Sequence, residues 1–291
     1  MTLETGLEPE SGLESGSGSG KNAILEIEDV TLRFGGLVAV SGLSVRVPEG
    51  AITGLIGPNG AGKTTVFNVV TGFYRPTQGS VSFRGRTLTG LPPHKVCEAG
   101  LARTFQNIRL FHNETVLENV MIGAHVRQRG KWWQTLVPFA FPGALREEEE
   151  IRASSMELLS RLGLAAQAGA VSSSLPYGAQ RRLEIARALA TRPKFLLLDE
   201  PAAGMNPQES AELLGFIRRL RDDFDLTILL IEHDMKVVMG VCEHIWVLDR
   251  GMLIAEGPPA EIRLNPRVVE AYLGKDVPAA PPEHAGAWGI E

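Results

Sequence analysis

An eight-residue run limits the possible folds of this chain more than any other part of its sequence. It reads Gly57-Pro58-Asn59-Gly60-Ala61-Gly62-Lys63-Thr64 and matches the pattern G-x-x-x-x-G-K-[ST] in full. The glycines are needed because backbone N–H groups that converge on one anion require dihedral angles that a Cβ disfavours. An apolar segment at residues 51–56 precedes the run, and a helical pattern at residues 65–70 follows it. The sequence therefore predicts a phosphate-binding loop between a buried strand and a helix N-terminus.

Further short apolar runs, at residues 195–198 and 226–231, alternate with helical patterns. Runs of this kind are typical of parallel strands that are buried on both faces of a sheet, so the sequence predicts an α/β fold. Residues 24–34 and 43–47 instead alternate apolar and polar side chains, which predicts an antiparallel layer with one solvent-exposed face.

A helical segment interrupts the predicted strands. Apolar side chains recur at helical spacing before Gly163, which is a typical helix stop. They are Met156, Leu158, Leu159 and Leu162. We therefore expect a helical subdomain over about residues 107–190.

The composition is that of an ordinary globular protein, since 44% of the 291 residues are apolar and 22% are charged. The formal net charge of −5 leaves no broad basic field, so nucleic acid is not expected as a ligand. No apolar run approaches the roughly 20 residues that a spanning helix needs, so we expect no membrane span. The first ten residues are acidic and lack an apolar segment, so we expect no secretory signal and a protein that stays inside the cell.

The two ends of the chain differ in composition from its centre. Residues 1–21 include a Gly/Ser-rich stretch and residues 276–291 are rich in Pro and Ala, so we expect flexible tails around a folded domain at residues 22–275. Cys97 and Cys242 follow neither a metal-binding nor a disulfide spacing. This predicts two inert core thiols in a protein from a reducing compartment.

Two carboxylates end the apolar run at residues 195–198. Asp199 and Glu200 follow it directly, where the carboxyl edge of a parallel sheet would meet a bound nucleotide. Downstream of a phosphate loop, Lys63 is predicted to reach the β- and γ-phosphates and the Thr64 hydroxyl to bind Mg²⁺. Asp199 suits a water-mediated contact to the metal, and Glu200 suits the orientation of a water that attacks the γ-phosphate. The predicted reaction is therefore hydrolysis of the nucleotide.

Two further polar residues are candidates for the same site. His233 follows the apolar run at residues 226–231, at the same sheet edge and within reach of a γ-phosphate. Gln106, in the segment ARTFQNIRLF, is a candidate to supply an oxygen to Mg²⁺ or to hold the attacking water. The remaining histidines are interpreted as ordinary surface or core residues. They are His94, His112, His125, His244 and His284.

These residues, with the segment LPYGAQRRL at 175–183 between them, resemble the ATP-binding subunit of an ABC transporter over about residues 22–275. The segments FQNIRLF, EPAAGMNP, IEHDM and NPRVVEAYLG are most similar to the ATPase subunits of branched-chain amino acid importers. The resemblance implies a two-lobed P-loop domain with a RecA-like core, an N-terminal antiparallel β layer and a helical subdomain. It also implies head-to-tail pairing with a second ATPase subunit, so that each ATP lies between one chain's phosphate loop and the other chain's signature segment.

The resemblance also assigns roles to single residues. Phe34 matches the aromatic residue that stacks on adenine, with Val40 a few residues on, and Thr65 joins the phosphate loop as a nucleotide-binding residue. Gln106 matches the loop that senses nucleotide and contacts the membrane subunit. Gly178 matches the signature glycine, at the start of a helix whose N–H groups would face the γ-phosphate bound by the partner subunit.

The helix after Gly178 is predicted to bury one apolar face and to direct its arginines partly elsewhere. The apolar face comprises Leu183, Ala186, Leu189 and Ala190, and the arginines are Arg181, Arg182 and Arg187.

Two positions depart from the family pattern. The usual signature serine is Pro176 here, which has neither a hydroxyl nor an N–H group for the γ-phosphate. Asn206 stands where many relatives carry an aspartate after the catalytic acid. We hypothesise that the composite site completed by this chain's signature segment hydrolyses ATP more slowly than its twin.

Lys131, Trp132, Trp133 and residues 136–141 concentrate aromatic side chains in a chain with only 6% aromatics. Core packing and a surface patch beside the cytoplasmic helix of a membrane subunit both explain this segment.

The resemblance implies an Mg²⁺-dependent ATPase at the cytoplasmic face of the cell membrane that energises the import of branched-chain amino acids. Its implied partners are ATP, a second ATPase subunit, two integral membrane permease subunits and, indirectly, a solute-binding protein. ATPase subunits of urea or amide importers and of lipopolysaccharide exporters share much of the pattern and remain alternatives. A soluble nucleotide kinase would not explain the signature helix or His233. An ABC ATPase acting on DNA or ribosomes would need a long coiled coil or a second ATPase domain.

Overall fold

The computed structural model describes residues 22–127 and 142–273. In chain order the strands are β1 (Ala23–Phe34), β2 (Leu37–Pro48), β3 (Ile52–Ile56), β4 (Gln78–Phe83), β5 (Arg86–Thr87), β6 (Leu101–Arg103), β7 (Phe195–Asp199), β8 (Thr227–Ile231), β9 (His244–Asp249) and β10 (Met252–Gly257). The helices are α1 (Lys63–Val70), α2 (Pro93–Glu98), α3 (Val116–Ala124), α4 (Pro142–Arg161), α5 (Tyr177–Leu189), α6 (Pro207–Phe224), α7 (Met235–Val241), α8 (Pro259–Leu264) and α9 (Pro266–Leu273). Short 3₁₀ turns lie at His125–Arg127, Ala165–Gln167 and Ser172–Ser174.

The strands form two sheets. One is antiparallel, with the order β2-β1-β4-β5, and the other has the order β10-β9-β3-β8-β7-β6. In the second sheet β6, β7, β8, β3 and β9 pair in parallel, and β10 joins β9 antiparallel at the edge. The carboxyl ends of β3 and β7 therefore share one edge of this sheet, which brings the residues after Ile56 and after Leu198 to the same place.

Two hydrophobic cores lie on opposite faces of the parallel strands. Along β8, Ile228 and Leu230 belong to the core that includes α3, α4 and α5, whereas Leu229 and Ile231 belong to the core shared with α1 and the antiparallel sheet. Successive side chains of a strand point to opposite faces, so a strand covered on both faces must be apolar at every position. This explains the uninterrupted apolar runs of the sequence.

The predicted α/β fold with an antiparallel layer, a parallel core and a helical segment is confirmed. The predicted strands and the helix after the phosphate loop are present, most of them with shifts of one or two residues at their ends, but the strand predicted at residues 43–47 begins six residues earlier, as β2. Leu159 of α4 and Leu162, the residue just after the end of α4, are buried, whereas Met156 of α4 is 41% exposed.

Two details of the sequence interpretation are wrong. Arg181 does not point away from the apolar face of α5, because its side chain is 1% exposed and forms an ion pair inside the protein. Cys242 is buried, but Cys97 is only half-buried and is therefore not a full core residue.

Within the described parts of the chain, no helix is both long enough and apolar enough to cross a bilayer. The predicted domain limits of 22–275 remain a prediction, since residue 275 and both predicted tails, at 1–21 and 276–291, fall outside the described residues. The aromatic segment around Trp132, like His284, also lies outside them.

Candidate nucleotide site

The phosphate loop, residues 57–64, joins β3 to α1 at the carboxyl edge of the parallel sheet. Two of its glycines are required by close contacts. A Cβ on Gly57 (φ 151°) would lie 2.1 Å from the Leu248 carbonyl oxygen, and one on Gly62 (φ 101°) would lie 2.7 Å from the Ala39 carbonyl oxygen. Gly62 also precedes α1 in a left-handed conformation. The loop is thus packed against neighbouring backbone in a form that other residues cannot adopt, with the α1 N-terminus beneath it.

Lys63 folds back over the phosphate loop. Its Nζ donates hydrogen bonds to the carbonyl oxygens of Gly57 at 2.6 Å and Pro58 at 3.0 Å. Burial lowers the pKa of Lys63, while the nearby carboxylates of Glu200 and Asp199 act in the opposite direction. The ammonium group therefore lies within the concavity of the loop, where a phosphate oxygen would be its natural partner.

The other predicted nucleotide-binding residues surround this loop. Thr64 is exposed, and Thr65 is half-buried. Phe34 is exposed at the end of β1, and its ring makes an edge-to-face contact with the Tyr74 ring at a centroid distance of 5.2 Å. Val40 is fully buried beneath Gly62, so its side chain supports the loop and is not displayed on the site surface.

Glu200 lies in the turn that follows β7. It adopts a left-handed conformation (φ 45°), which costs a residue other than glycine of order 1 kcal/mol. Its N–H donates to the Ile231 carbonyl oxygen at 2.9 Å, which ties the turn to β8. Its Oε2 accepts a hydrogen bond from Gln106 Nε2 at 2.7 Å and lies 3.7 Å from His233 Nδ1. Of the three residues predicted to be catalytic, Gln106 and His233 therefore both lie against the carboxylate of Glu200.

Asp199, the last residue of β7, is buried and paired with Arg103 of β6. Arg103 Nη2 lies 2.7 Å from Asp199 Oδ2, and Arg103 Nη1 donates to Asn68 Oδ1 at 2.6 Å. The Arg103 guanidinium also lies over the rings of Phe67 and Phe105, at 5.4 and 5.2 Å from their centroids. Asp199 is thus at the predicted place, but its carboxylate already has a cationic partner that the sequence interpretation did not include.

A second buried carboxylate, Glu232, immediately precedes His233. Its Oε1 accepts the N–H of Ala202 at 2.8 Å, and its Oε2 accepts the N–H of His233 at 3.2 Å. Burial raises its pKa above the ordinary range, against the effect of these hydrogen bonds. Glu232 therefore connects the turn that carries Glu200 to the loop that carries His233.

The signature segment begins α5, with Pro176 at its N-cap and no side-chain capping hydrogen bond. A Cβ on Gly178 would meet no atom within 4 Å, so the first turn has an open side. The Tyr177 hydroxyl donates to the Ala203 carbonyl oxygen at 3.2 Å, which links the start of α5 to the turn after Glu200.

One turn further along α5, Arg181 and Glu184 form a buried ion pair with 3.0 Å between Nη1 and Oε2. The Arg181 guanidinium donates to the carbonyl oxygens of Phe105 and Gln106, at 2.7 and 3.0 Å. Glu184 Oε1 accepts the N–H groups of Phe105 and Arg109, both at 3.3 Å. This pair, called the clamp below, binds the backbone of residues 104–109, the Gln106 loop, to the signature helix.

Two family models match this sequence. The model of the family described as ABC transporter matches residues 40–203, and that of the branched-chain amino acid ATP-binding cassette transporter matches residues 252–278. The chain belongs to the ABC transporter family. The phosphate loop, Glu200 and the signature segment all lie within the first of these matches, so the geometry described above is that of an ATP-binding cassette.

Curated relatives of this cassette are similar over nearly their whole length. The high-affinity branched-chain amino acid transport ATP-binding protein BraF of Pseudomonas aeruginosa is 47% identical over 252 residues, which cover 87% of this chain and 98% of the relative. The corresponding protein LivG of Escherichia coli K12 is 46% identical over 258 residues, with the same coverage.

Solved structures of ATP-binding cassettes have the same fold as this chain. The ADP conformation of an ATP-binding cassette of an ABC transporter superposes with a TM-score of 0.76 at 33% identity, covering 87% of this chain and 99% of that one. A dimeric post-hydrolysis cassette bound to ADP and Pi gives a TM-score of 0.67 at 25% identity, covering 81% of this chain and 98% of that one. The cassette fold predicted from the resemblance is therefore confirmed.

Sequence reasoning missed three contributions to the site: Arg103, Glu232 and the clamp. The signal for Arg103 was a lone cation in the short apolar strand LAR, and that for the clamp was an Arg and a Glu three residues apart on a helix. Nothing in the spacing of these charges shows that they are buried, because burial depends on segments that are distant in the sequence.

Proposed function

We propose that this chain is the ATP-hydrolysing subunit of an importer of branched-chain amino acids. The observation that carries the ATPase part is the contact of Glu200 with Gln106 and His233 beside the phosphate loop. The similarity to BraF and LivG supports the transport part, because those relatives are described as high-affinity branched-chain amino acid transport ATP-binding proteins.

Nucleotide binding begins at the phosphate loop. Lys63 would exchange its hydrogen bonds with Gly57 and Pro58 for contacts to the β- and γ-phosphate oxygens of ATP. The N–H groups at the start of α1 would add donors and a favourable dipole. The exposed Phe34 ring would stack on the adenine. These contacts would hold the phosphates of ATP at the edge of the sheet where Glu200 lies.

Hydrolysis then requires a water in line with the bond that breaks. Glu200 would accept a hydrogen bond from this water and take its proton as the water oxygen bonds to the γ-phosphorus. The bond between the γ-phosphorus and the bridging oxygen breaks, and the products are ADP and inorganic phosphate. Gln106 and His233 lie on the Glu200 carboxylate and would hold the water and the γ-phosphate oxygens in place.

The residues at this edge fit Mg²⁺. The exposed Thr64 hydroxyl, the Asp199 carboxylate and the Gln106 amide oxygen are all hard oxygen donors, the type that Mg²⁺ prefers. Bound there with ATP, Mg²⁺ would neutralise charge on the β- and γ-phosphates. Thr64 would contact the metal directly, and Asp199 would contact it through water.

A second ATPase subunit would complete the site. Gly178 and the first turn of α5 have an open side, as a segment that faces a nucleotide on another subunit requires. Head-to-tail pairing would place this turn over the γ-phosphate held by the partner subunit. Because Pro176 offers that phosphate no hydroxyl, we expect slower hydrolysis in the composite site that it completes.

Two membrane subunits would receive the motion of the cassettes. An apolar groove of about 340 Å³ lies beside the Gln106 loop. Its lining includes the half-exposed side chains of Phe73, Phe111 and Ile122. A short cytoplasmic helix of a permease subunit would bury these groups and contact the loop that carries Gln106. The cassette would then work at the cytoplasmic face of the cell membrane, with a solute-binding protein acting on the other side.

The substrate class is tested by reconstitution. We expect the cassette to co-purify with branched-chain amino acid permease subunits and to drive ATP-dependent leucine uptake when the complex and its solute-binding protein are placed in vesicles. Urea uptake or lipopolysaccharide extraction in the same vesicles, without leucine uptake, would replace this proposal with one of the alternatives.

A further inference from the structure

The predicted metal-binding carboxylate, Asp199, is the partner of a buried arginine. The side chains of Arg103 and Asp199 are 7% and 5% exposed, and their 2.7 Å contact is a direct, charge-assisted hydrogen bond. The guanidinium packs against the Phe67 and Phe105 rings and donates a hydrogen bond to Asn68 Oδ1. Its orientation toward Asp199 is therefore preset and does not depend on a flexible side chain.

Stability alone is a weak explanation for this arrangement. Two buried charges lose their hydration, and a buried ion pair is often no more stable than an apolar replacement of the same size. Here, Arg103 Nε is also buried without a hydrogen-bond partner among the residues that the structure describes, which adds a further cost. The pair lies at the edge of the sheet where Asp199 is expected to face a metal bound with nucleotide.

We propose that Arg103 sets the affinity of the cassette for the divalent metal that accompanies ATP. This inference rests on the proposed function, since it requires ATP and Mg²⁺ to bind at this edge of the sheet. Arg103 acts through Asp199: it neutralises part of the charge of the carboxylate, without touching the metal itself.

The sign of the effect follows from the charges. A cation 2.7 Å from Asp199 opposes a second cation on the same carboxylate, so Arg103 weakens metal binding and favours release after hydrolysis. The position of Asp199 does not depend on Arg103, because its backbone pairs with Ile231 of β8 and its N–H donates to Thr104 Oγ1 at 3.4 Å. Removal of the arginine should therefore leave Asp199 in place and strengthen metal binding.

The Arg103→Met variant tests this proposal, because methionine keeps an apolar side chain against the two rings and removes the charge. The experiment measures the dissociation constant of the non-hydrolysable analogue adenylyl imidodiphosphate by calorimetry on the full chain, once in EDTA and once in saturating Mg²⁺. The quantity to compare is the constant in EDTA divided by the constant in Mg²⁺. This ratio reports how much the metal contributes to nucleotide binding. We expect it to be larger in Arg103→Met than in the parent by about fivefold or more.

Arg109→Met is the matched control. Arg109 also lies over the Phe105 ring, at 4.4 Å from its centroid, and its guanidinium forms no ion pair with Asp199. This variant removes the same charge from a neighbouring position, in the loop that follows β6, and should leave the ratio within twofold of the parent. Arg103→Lys keeps a cation and should also stay near the parent value.

Arg103→Gln serves if the methionine variant does not fold, because its amide can still donate one hydrogen bond to Asp199 while the charge is lost. The same increase in the ratio is expected. A ratio that is unchanged or reduced in a folded, nucleotide-binding neutral variant would show that Arg103 has only a structural role. A parent chain that binds no nucleotide in either condition would overturn the proposed function, and this inference with it.

Discussion

Loss of the Arg181 charge should destabilise the cassette by more than most single substitutions do. Arg181 and Glu184 are each 1% exposed, so the Arg181→Met variant leaves a buried carboxylate without its cation. It also removes the donors that satisfy the carbonyl oxygens of Phe105 and Gln106. Breaking a buried pair in this way costs about 3–5 kcal/mol, a large part of the roughly 5–15 kcal/mol by which a domain is stable.

The two partners of the clamp should not contribute independently. Glu184→Leu leaves Arg181 uncompensated and should cost a similar amount, whereas the double variant removes both charges and leaves only backbone groups unpaired. Each lost backbone hydrogen bond is worth about 1 kcal/mol, so the double variant should lose about as much as either single one. The coupling energy in the double-mutant cycle is then about 2 kcal/mol or more.

Urea unfolding of the parent, both single variants and the double variant, followed by circular dichroism, measures these quantities. Hydrogen exchange adds a local readout, because the amides of Phe105 and Arg109 donate to Glu184 and should lose protection in Glu184→Leu. Single variants that each lose less than about 1 kcal/mol, or losses that simply add in the double variant, would refute the role of the clamp.

Three further outcomes follow from the site. Gly57→Ala should lower the free energy of unfolding in urea by about 3 kcal/mol, because the new Cβ would meet the Leu248 carbonyl oxygen. Gly60→Ala has no atom within 4 Å of its Cβ and should lower it by only about 1 kcal/mol, from backbone strain. Equal losses in the two variants would contradict the predicted contact at Gly57. Burial raises the pKa of Glu232 above its ordinary value of 4.5, so the folded state binds this proton more tightly than the unfolded state does. The free energy of unfolding of the parent should therefore fall as pH rises above about 4.5 and Glu232 loses its proton. The stability of Glu232→Gln relative to the parent should accordingly improve with pH above about 4.5, and a difference that does not change with pH in unfolding measurements would contradict this. Pro176→Ser should raise ATP turnover of the assembled transporter by restoring a hydroxyl at the signature segment, and unchanged turnover would argue against unequal composite sites.

The parts of the site that could be predicted from the sequence are those held by local chain geometry. Lys63 ends a glycine pattern that is typical of a phosphate-binding loop, and Glu200 and His233 each follow an apolar run whose end lies at the carboxyl edge of a parallel sheet. Their common location therefore follows from the α/β topology alone.

The parts that could not be predicted depend on contacts between distant segments. Arg103 meets Asp199 across 96 residues, and Arg181 meets the Phe105 carbonyl oxygen across 76. Each charge stands in an apolar or amphipathic stretch where solvent exposure is the usual outcome. Only the packing of β6 beside β7, and of α5 against the Gln106 loop, shows that these charges are buried and paired.

Glu200→Gln tests the central claim most directly, that a carboxylate beside the phosphate loop activates the water that cleaves ATP. Glutamine keeps the size of the side chain and can still face Gln106 and His233, but it cannot accept the proton. In the reconstituted transporter we expect ATP binding to persist while turnover falls by about 100-fold or more. Turnover equal to that of the parent, at the same ATP affinity, would contradict the assignment of Glu200 as the catalytic base.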